Sequence, residues 1–188
     1  MKKIFCLMVL TILVIGGTAA AQERTLPMLR EGVKEIGISG YLDFEGRDGD
    51  VDVELSALYG YFLNRHLEIG GLLGYSRQLD GNVINYNIGA FAEYHIFGVR
   101  WVGFAETVPY FGASLGLGVL DTDDPRFGEN ESALTFIPKV GVKWFFREYV
   151  ALDTHIFLAL ASEDIYVNDG SSDSYDFGMR FGLRVLFE

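Results

Sequence analysis

From residue 35 to the end of the chain, apolar and polar positions alternate with period two. The final segment shows it clearly. Tyr175, Phe177, Met179, Phe181, Leu183, Val185 and Phe187 fall on one side, and Asp176, Gly178, Arg180, Gly182, Arg184 and Leu186 on the other. Successive side chains of a strand point to opposite faces, so such a segment has one apolar face and one polar face. The pattern predicts eight strands, at about 35–44, 51–63, 67–76, 84–96, 106–119, 133–145, 149–161 and 175–187. Their uncharged rows include Ile36 and Ile38; Leu55, Ala57 and Tyr59; Ile69 and Leu73; Ile88 and Ala90; Phe111, Leu115 and Leu117; Val140 and Val142; and Leu152, Ile156, Leu158 and Leu160.

The connections alternate in kind. Those around Asp48, Asp80, Asp123 and Asp169 are polar, and the stretches 120–132 and 162–173 are long. Those at Asn64 and Arg147 are tight. Long loops at one end and short turns at the other, around strands with an apolar outer row, predict an all-β, eight-stranded antiparallel up-and-down transmembrane β-barrel. Aromatic side chains in the outward rows fall at two depths. Phe44, Tyr75, Tyr86, Phe136 and Tyr175 lie near the loop end, and Tyr61, Tyr94, Trp144 and Phe187 near the turn end. Such rings favour the boundary between lipid and water, so the two sets read as aromatic girdles.

The start of the chain changes the picture of where the barrel resides. Lys2 and Lys3 precede an apolar run of about 12 residues, too short for the roughly 20 of a spanning helix, and Ala19-Ala20-Ala21 suits cleavage before Gln22. Residues 1–21 are thus expected to be a removed signal peptide, 22–34 a periplasmic N-terminal arm, and 35–188 the barrel. The lone cysteine, Cys6, lies in the signal, which excludes disulfides and thiolate metal sites from the exported chain. The net charge of −11 excludes a phosphate-tracking nucleic-acid surface.

The stretches at 63–71, 87–94 and 108–116, together with the final strand, resemble the small outer-membrane barrels of the OmpA transmembrane-domain and OmpX type. The resemblance covers nearly the whole exported chain. It implies residence in the outer membrane of a Gram-negative-type bacterium, with outer-membrane lipid as the first partner. It also implies recognition of the C-terminal strand by the barrel-insertion machinery. In that family the last strand ends on an aromatic residue; here Phe187 is followed by Glu188.

Charges on the inward rows are the main candidate chemistry. Glu54, Glu68, Glu93, Asp153 and Asp176 are set to meet Lys139, Lys143, Arg180 and Arg184. An eight-stranded barrel is filled by its own side chains, and enclosed charges have to be paired or hydrated. The expectation is an ion-paired plug of structural role. His95 and His155 point inward and read as hydrogen-bonded lumen residues, while His66 sits in a turn. The acidic residues Asp121, Asp123, Asp124, Glu129 and Glu131, and Asp48, Asp50 and Asp52, read as solvated loops. No spacing in the sequence marks a catalytic set, a cofactor site or a metal centre. The expected role is structural or a surface contact, including adhesion to an extracellular ligand, rather than catalysis. The alternatives are a narrow pore for small solutes, a lipocalin-like soluble carrier and a lipid-modifying enzyme.

Overall fold

The computed structural model describes residues 28–43, 52–78, 83–97, 106–122, 131–168 and 171–188. The expected signal peptide, Phe44 and most of the first three loops lie outside the described residues. Among the described residues there are ten strands: β1 (Lys34–Asp43), β2 (Asp52–Phe62), β3 (Leu67–Gln78), β4 (Val83–His95), β5 (Thr107–Thr122), β6 (Glu131–Arg147), β7 (Val150–Ala161), β8 (Tyr166–Asn168), β9 (Ser171–Asp173) and β10 (Tyr175–Phe187). Eight of them close into an antiparallel barrel in the order β1-β10-β7-β6-β5-β4-β3-β2. From β1 to β7 each strand pairs with its neighbours in sequence, β7 then pairs with β10 past the β8–β9 hairpin, and β10 meets β1 through Lys34↔Phe187 to Gly40↔Phe181. Closure leaves no sheet edge, which is the condition for strands to cross lipid with every backbone group paired.

The period-two pattern dictates which way each side chain points. Ile38, Leu73, Ile88, Leu115, Val140, Ile156 and Phe177 stand on the outer surface, while Glu35, Glu68, Glu93, Lys143, Asp153 and Arg184 are buried inside. This is the inverse of a soluble carrier, whose outer surface is polar, and it corrects the lipocalin-like alternative. Leu115, near the middle of β5, is 66% exposed. Leu115→Arg is expected to destabilise the folded barrel by about 2–4 kcal/mol in a bilayer. Denaturant titration of the reconstituted protein reads that cost, and an unperturbed midpoint would contradict lipid contact at this row.

Two predicted connections are shorter than the sequence suggests. β5 runs on to Thr122 and β6 begins at Glu131, so the wall takes up both ends of the stretch expected to be a loop from 120 to 132. The 162–173 stretch holds the small β8–β9 hairpin, paired from Tyr166↔Asp173 to Asn168↔Ser171. It does not stay in solvent. Ile165 is fully buried against Leu120 and Ala133, with Ala161 and Tyr166 packed alongside. The Asn85 side chain donates to the Ile165 carbonyl at 2.9 Å. An apolar residue inside a polar segment thus leaves water by packing into the loop-end mouth of the barrel.

The turn-end mouth is closed by residues 28–33. Leu29 and Val33 pack on Phe62, Val108, Phe145, Ala151 and Leu186. The Met28 amide donates to the Glu148 carbonyl (2.8 Å), Gly32 to Phe62 (3.0 Å), and Phe62 back to Val33 (2.9 Å). Gly32 has φ +86°, the left-handed turn that a side chain resists. Arg30 pairs with Glu188 across the two chain ends. This part of the expected arm is therefore a fixed stopper.

Candidate functional site

The charged lumen is built where inward positions of six strands converge at the turn-end half of the barrel. Glycines clear the room. A Cβ at Gly37 would lie 2.6 Å from the Arg184 Cδ, and one at Gly141 would lie 2.6 Å from the His155 Cβ and 2.8 Å from the Tyr110 ring. A Cβ at Gly60 would collide with the Glu68 carboxylate. Large charged side chains thus fill space that glycines leave in neighbouring strands.

Two linked clusters result. In the first, Lys143 donates to both carboxylate oxygens of Glu35 at 2.8 Å and to Glu68 at 3.0 Å, and lies 3.3 Å from Glu93. Lys139 reaches Glu93 at 2.6 Å. Glu68 and Glu93 stand directly opposite on β3 and β4, an arrangement that repels unless a cation lies between them. Lys143 is that cation, and its charge also faces the rings of Tyr110 at 5.5 Å and Phe62 at 5.7 Å. In the second cluster, Arg184 donates to Asp153 through Nε (3.0 Å) and a terminal nitrogen (2.5 Å). Tyr110 donates to the other Asp153 oxygen at 2.7 Å, and His155 Nδ1 lies 3.1 Å from the first. Arg184 also reaches Glu35 at 3.4 Å, joining the clusters.

Not every residue expected in the network is in it. Glu54 and Arg180 pair with each other nearer the loop end, where Arg180 stacks on Phe157 at 3.8 Å. Asp176 stays at that end, half-buried, within the field of Arg180. Glu35 is a hub that the sequence reading left out. Its signal was present in the alternation of Glu35, Gly37 and Ser39 against Ile36 and Ile38. His95 also differs from expectation. It is fully buried, and its ring nitrogens make no well-formed hydrogen bond, although the backbone of His66 lies within reach. Its Nε2 lies 3.6 Å from Glu68 and 3.8 Å from Glu93.

On the outer face, Tyr61, Tyr86, Tyr94, Phe136 and Tyr175 are exposed, and Tyr75, Trp144 and Phe187 are half-buried. Ring contacts join Tyr75 to Tyr86 at 5.7 Å at one depth and Tyr94 to Phe111 at 5.4 Å at the other. Lys34 lies over Phe187 at 5.9 Å, beside Tyr59.

No known family model matches the sequence, and no curated protein does. Solved structures do match. The N-terminal β-barrel domain of Pseudomonas aeruginosa OprF is similar with a TM-score of 0.56 at 19% identity, over 84% of this chain and 98% of that one. Neisserial surface protein A, NspA, is similar with a TM-score of 0.55 at 21% identity, over 82% of this chain and 96% of that one. The closed antiparallel topology agrees with those structures, and the chain has the fold of the small eight-stranded outer-membrane β-barrels.

Proposed function

We propose that the protein is an integral outer-membrane protein of structural and surface-contact role, anchored by its barrel and presenting its loop end to the cell exterior. The observation that carries this reading is closure of the lumen at three levels. Leu29 and Val33 stop the turn end, the Lys143 and Arg184 clusters fill the middle, and Ile165 covers the loop end. A side-chain-filled interior braces the wall, and its packing at these levels supports a plug rather than a channel. What the molecule offers other partners is then its rims. These are the loops on one side and, on the other, a C-terminal strand ending in Phe187 and Glu188 for the insertion machinery. This role has no chemical step.

Planar-bilayer recording of the purified, refolded protein tests the reading. The expected trace is silent at membrane voltages that open porins. Regular unitary conductance steps, retained after repurification, would replace it with the narrow-pore role.

A further inference from the structure

We infer that Glu68, Glu93 and His95 form a binding site for a divalent transition-metal ion of the zinc class inside the turn-end half of the barrel. One carboxylate oxygen from each glutamate and one nitrogen of His95 lie within 4.8 Å of one another. His95 Nε2 is 3.6 Å and 3.8 Å from the facing oxygens of Glu68 and Glu93. Metal–ligand bonds of about 2.0–2.2 Å in tetrahedral geometry require ligand atoms roughly 3.3–3.6 Å apart. The two histidine–carboxylate separations lie within a few tenths of an ångström of that range, and the two glutamate oxygens, within 4.8 Å of each other, close the remaining gap by carboxylate rotation when the ion enters.

The histidine supplies a second reason. A fully buried imidazole with no well-formed hydrogen bond, and only the His66 backbone otherwise within reach, is costly, and such groups in folded proteins have a cause. Here the ring is pinned between Phe62 at 5.2 Å and Tyr110 at 5.7 Å, with its Nε2 aimed at two carboxylates. One nitrogen and two carboxylate oxygens, with a fourth position left for water, is a donor set that suits zinc-class ions better than magnesium or calcium.

Lys143 is the competitor. Its ammonium lies 3.0 Å from Glu68 and 3.3 Å from Glu93, but its closest contacts are both oxygens of Glu35 at 2.8 Å. When metal binds, Lys143 keeps Glu35 and gives up the other two. Four carboxylates (Glu35, Glu68, Glu93, Asp153) face three fixed cations (Lys139, Lys143, Arg184) in the two clusters. A divalent ion changes that formal balance from one negative to one positive, so no large excess of either sign results.

The test uses the signal-free protein refolded in detergent with Co2+ present, because Leu29, Val33 and Phe62 cover the turn-end mouth afterwards. The expected result is the intense visible absorption of tetrahedral Co2+, abolished when one equivalent of Zn2+ is included in the refolding mixture. His95→Phe and Glu93→Gln should each weaken binding by about a hundredfold or more, beyond the roughly 10–100-fold of an outer-shell loss. Lys143→Met should tighten it. Absence of a tetrahedral band in the folded wild type overturns the proposal. So does a band that persists unchanged in His95→Phe, which would assign the metal to the acidic loops. If Lys143→Met does not fold, the wild-type and His95→Phe spectra still decide.

Discussion

Arg184→Met is expected to cost about 3–5 kcal/mol of folding stability, because it strands Asp153 in a dry interior. Arg184 is 1% exposed and gives Asp153 two donors. Without it, Asp153 keeps Tyr110 at 2.7 Å and His155 at 3.1 Å, neither of them a permanent cation. Glu35 is harmed less, since its main partner is Lys143 at 2.8 Å and its Arg184 contact is 3.4 Å. Breaking one side of a buried pair is far more damaging than replacing both sides with apolar groups of similar size. Arg184→Met combined with Asp153→Leu should therefore be more stable than Arg184→Met alone, despite the Tyr110 hydroxyl that loses its acceptor. Urea unfolding, followed by loss of the compact band on unheated gels, measures Arg184→Met, Asp153→Leu and the double variant. If the double variant loses the sum of the two single losses, the residues do not act as a pair and the description of the cluster is wrong.

The same cluster shows what a one-dimensional pattern can and cannot carry. Which way Glu68, Lys143 or Arg184 points is local, since it follows from parity within one strand, and parity was legible throughout the wall. Which partner each one finds is not local. Lys143 on β6 meets Glu35 on β1, strands that share no backbone pairing and approach only across the lumen. Barrel closure and stagger decide that meeting, and neither is written in any single strand. Lys143 and Asp153 illustrate the difference: they are direct neighbours in the β6–β7 register, yet Asp153 takes Arg184 while Lys143 takes three glutamates.

The two mouths escaped the sequence reading for a related reason. Ile165 and Tyr166 interrupt a polar stretch, and Met28, Leu29 and Val33 punctuate a mixed one. Neither set has a period, so neither predicts an element. Their meaning comes from the shape around them. A closed wall has only two ends where apolar residues from a connection can leave water without entering lipid, and each set occupies one. The side chains that decide between a plug and a pore thus sit partly in segments that periodicity assigns to loops.

Gly89→Val is expected to abolish the folded barrel, whereas Gly71→Ala, on the adjoining strand, leaves it intact. Gly89 faces inward and pairs with Gly116, and a Cβ on it would lie 2.5 Å from the Leu115 carbonyl oxygen and 2.9 Å from the Gly116 Cα. Both obstacles are backbone. A side chain in the way can change rotamer, but a backbone atom can retreat only if β4 and β5 separate. Overpacking that side chains absorb costs about 1–3 kcal/mol. Prying apart two strands in the middle of a closed wall also breaks ladder hydrogen bonds that lipid cannot replace. Gly116 reciprocates, with the Ile88 carbonyl oxygen 2.5 Å from its own would-be Cβ, so Gly116→Val should fail in the same way. At Gly71 the row is outward, and an added Cβ meets nothing closer than the Gly89 carbonyl at 3.8 Å. There the methyl group enters lipid and removes a flexible position from the unfolded chain, so the unfolding midpoint should hold or rise slightly. Heat-modifiable gel mobility after refolding separates the outcomes. A folded, wild-type-like Gly89→Val protein would mean that β4 and β5 are not in the register that places Gly89 against Gly116.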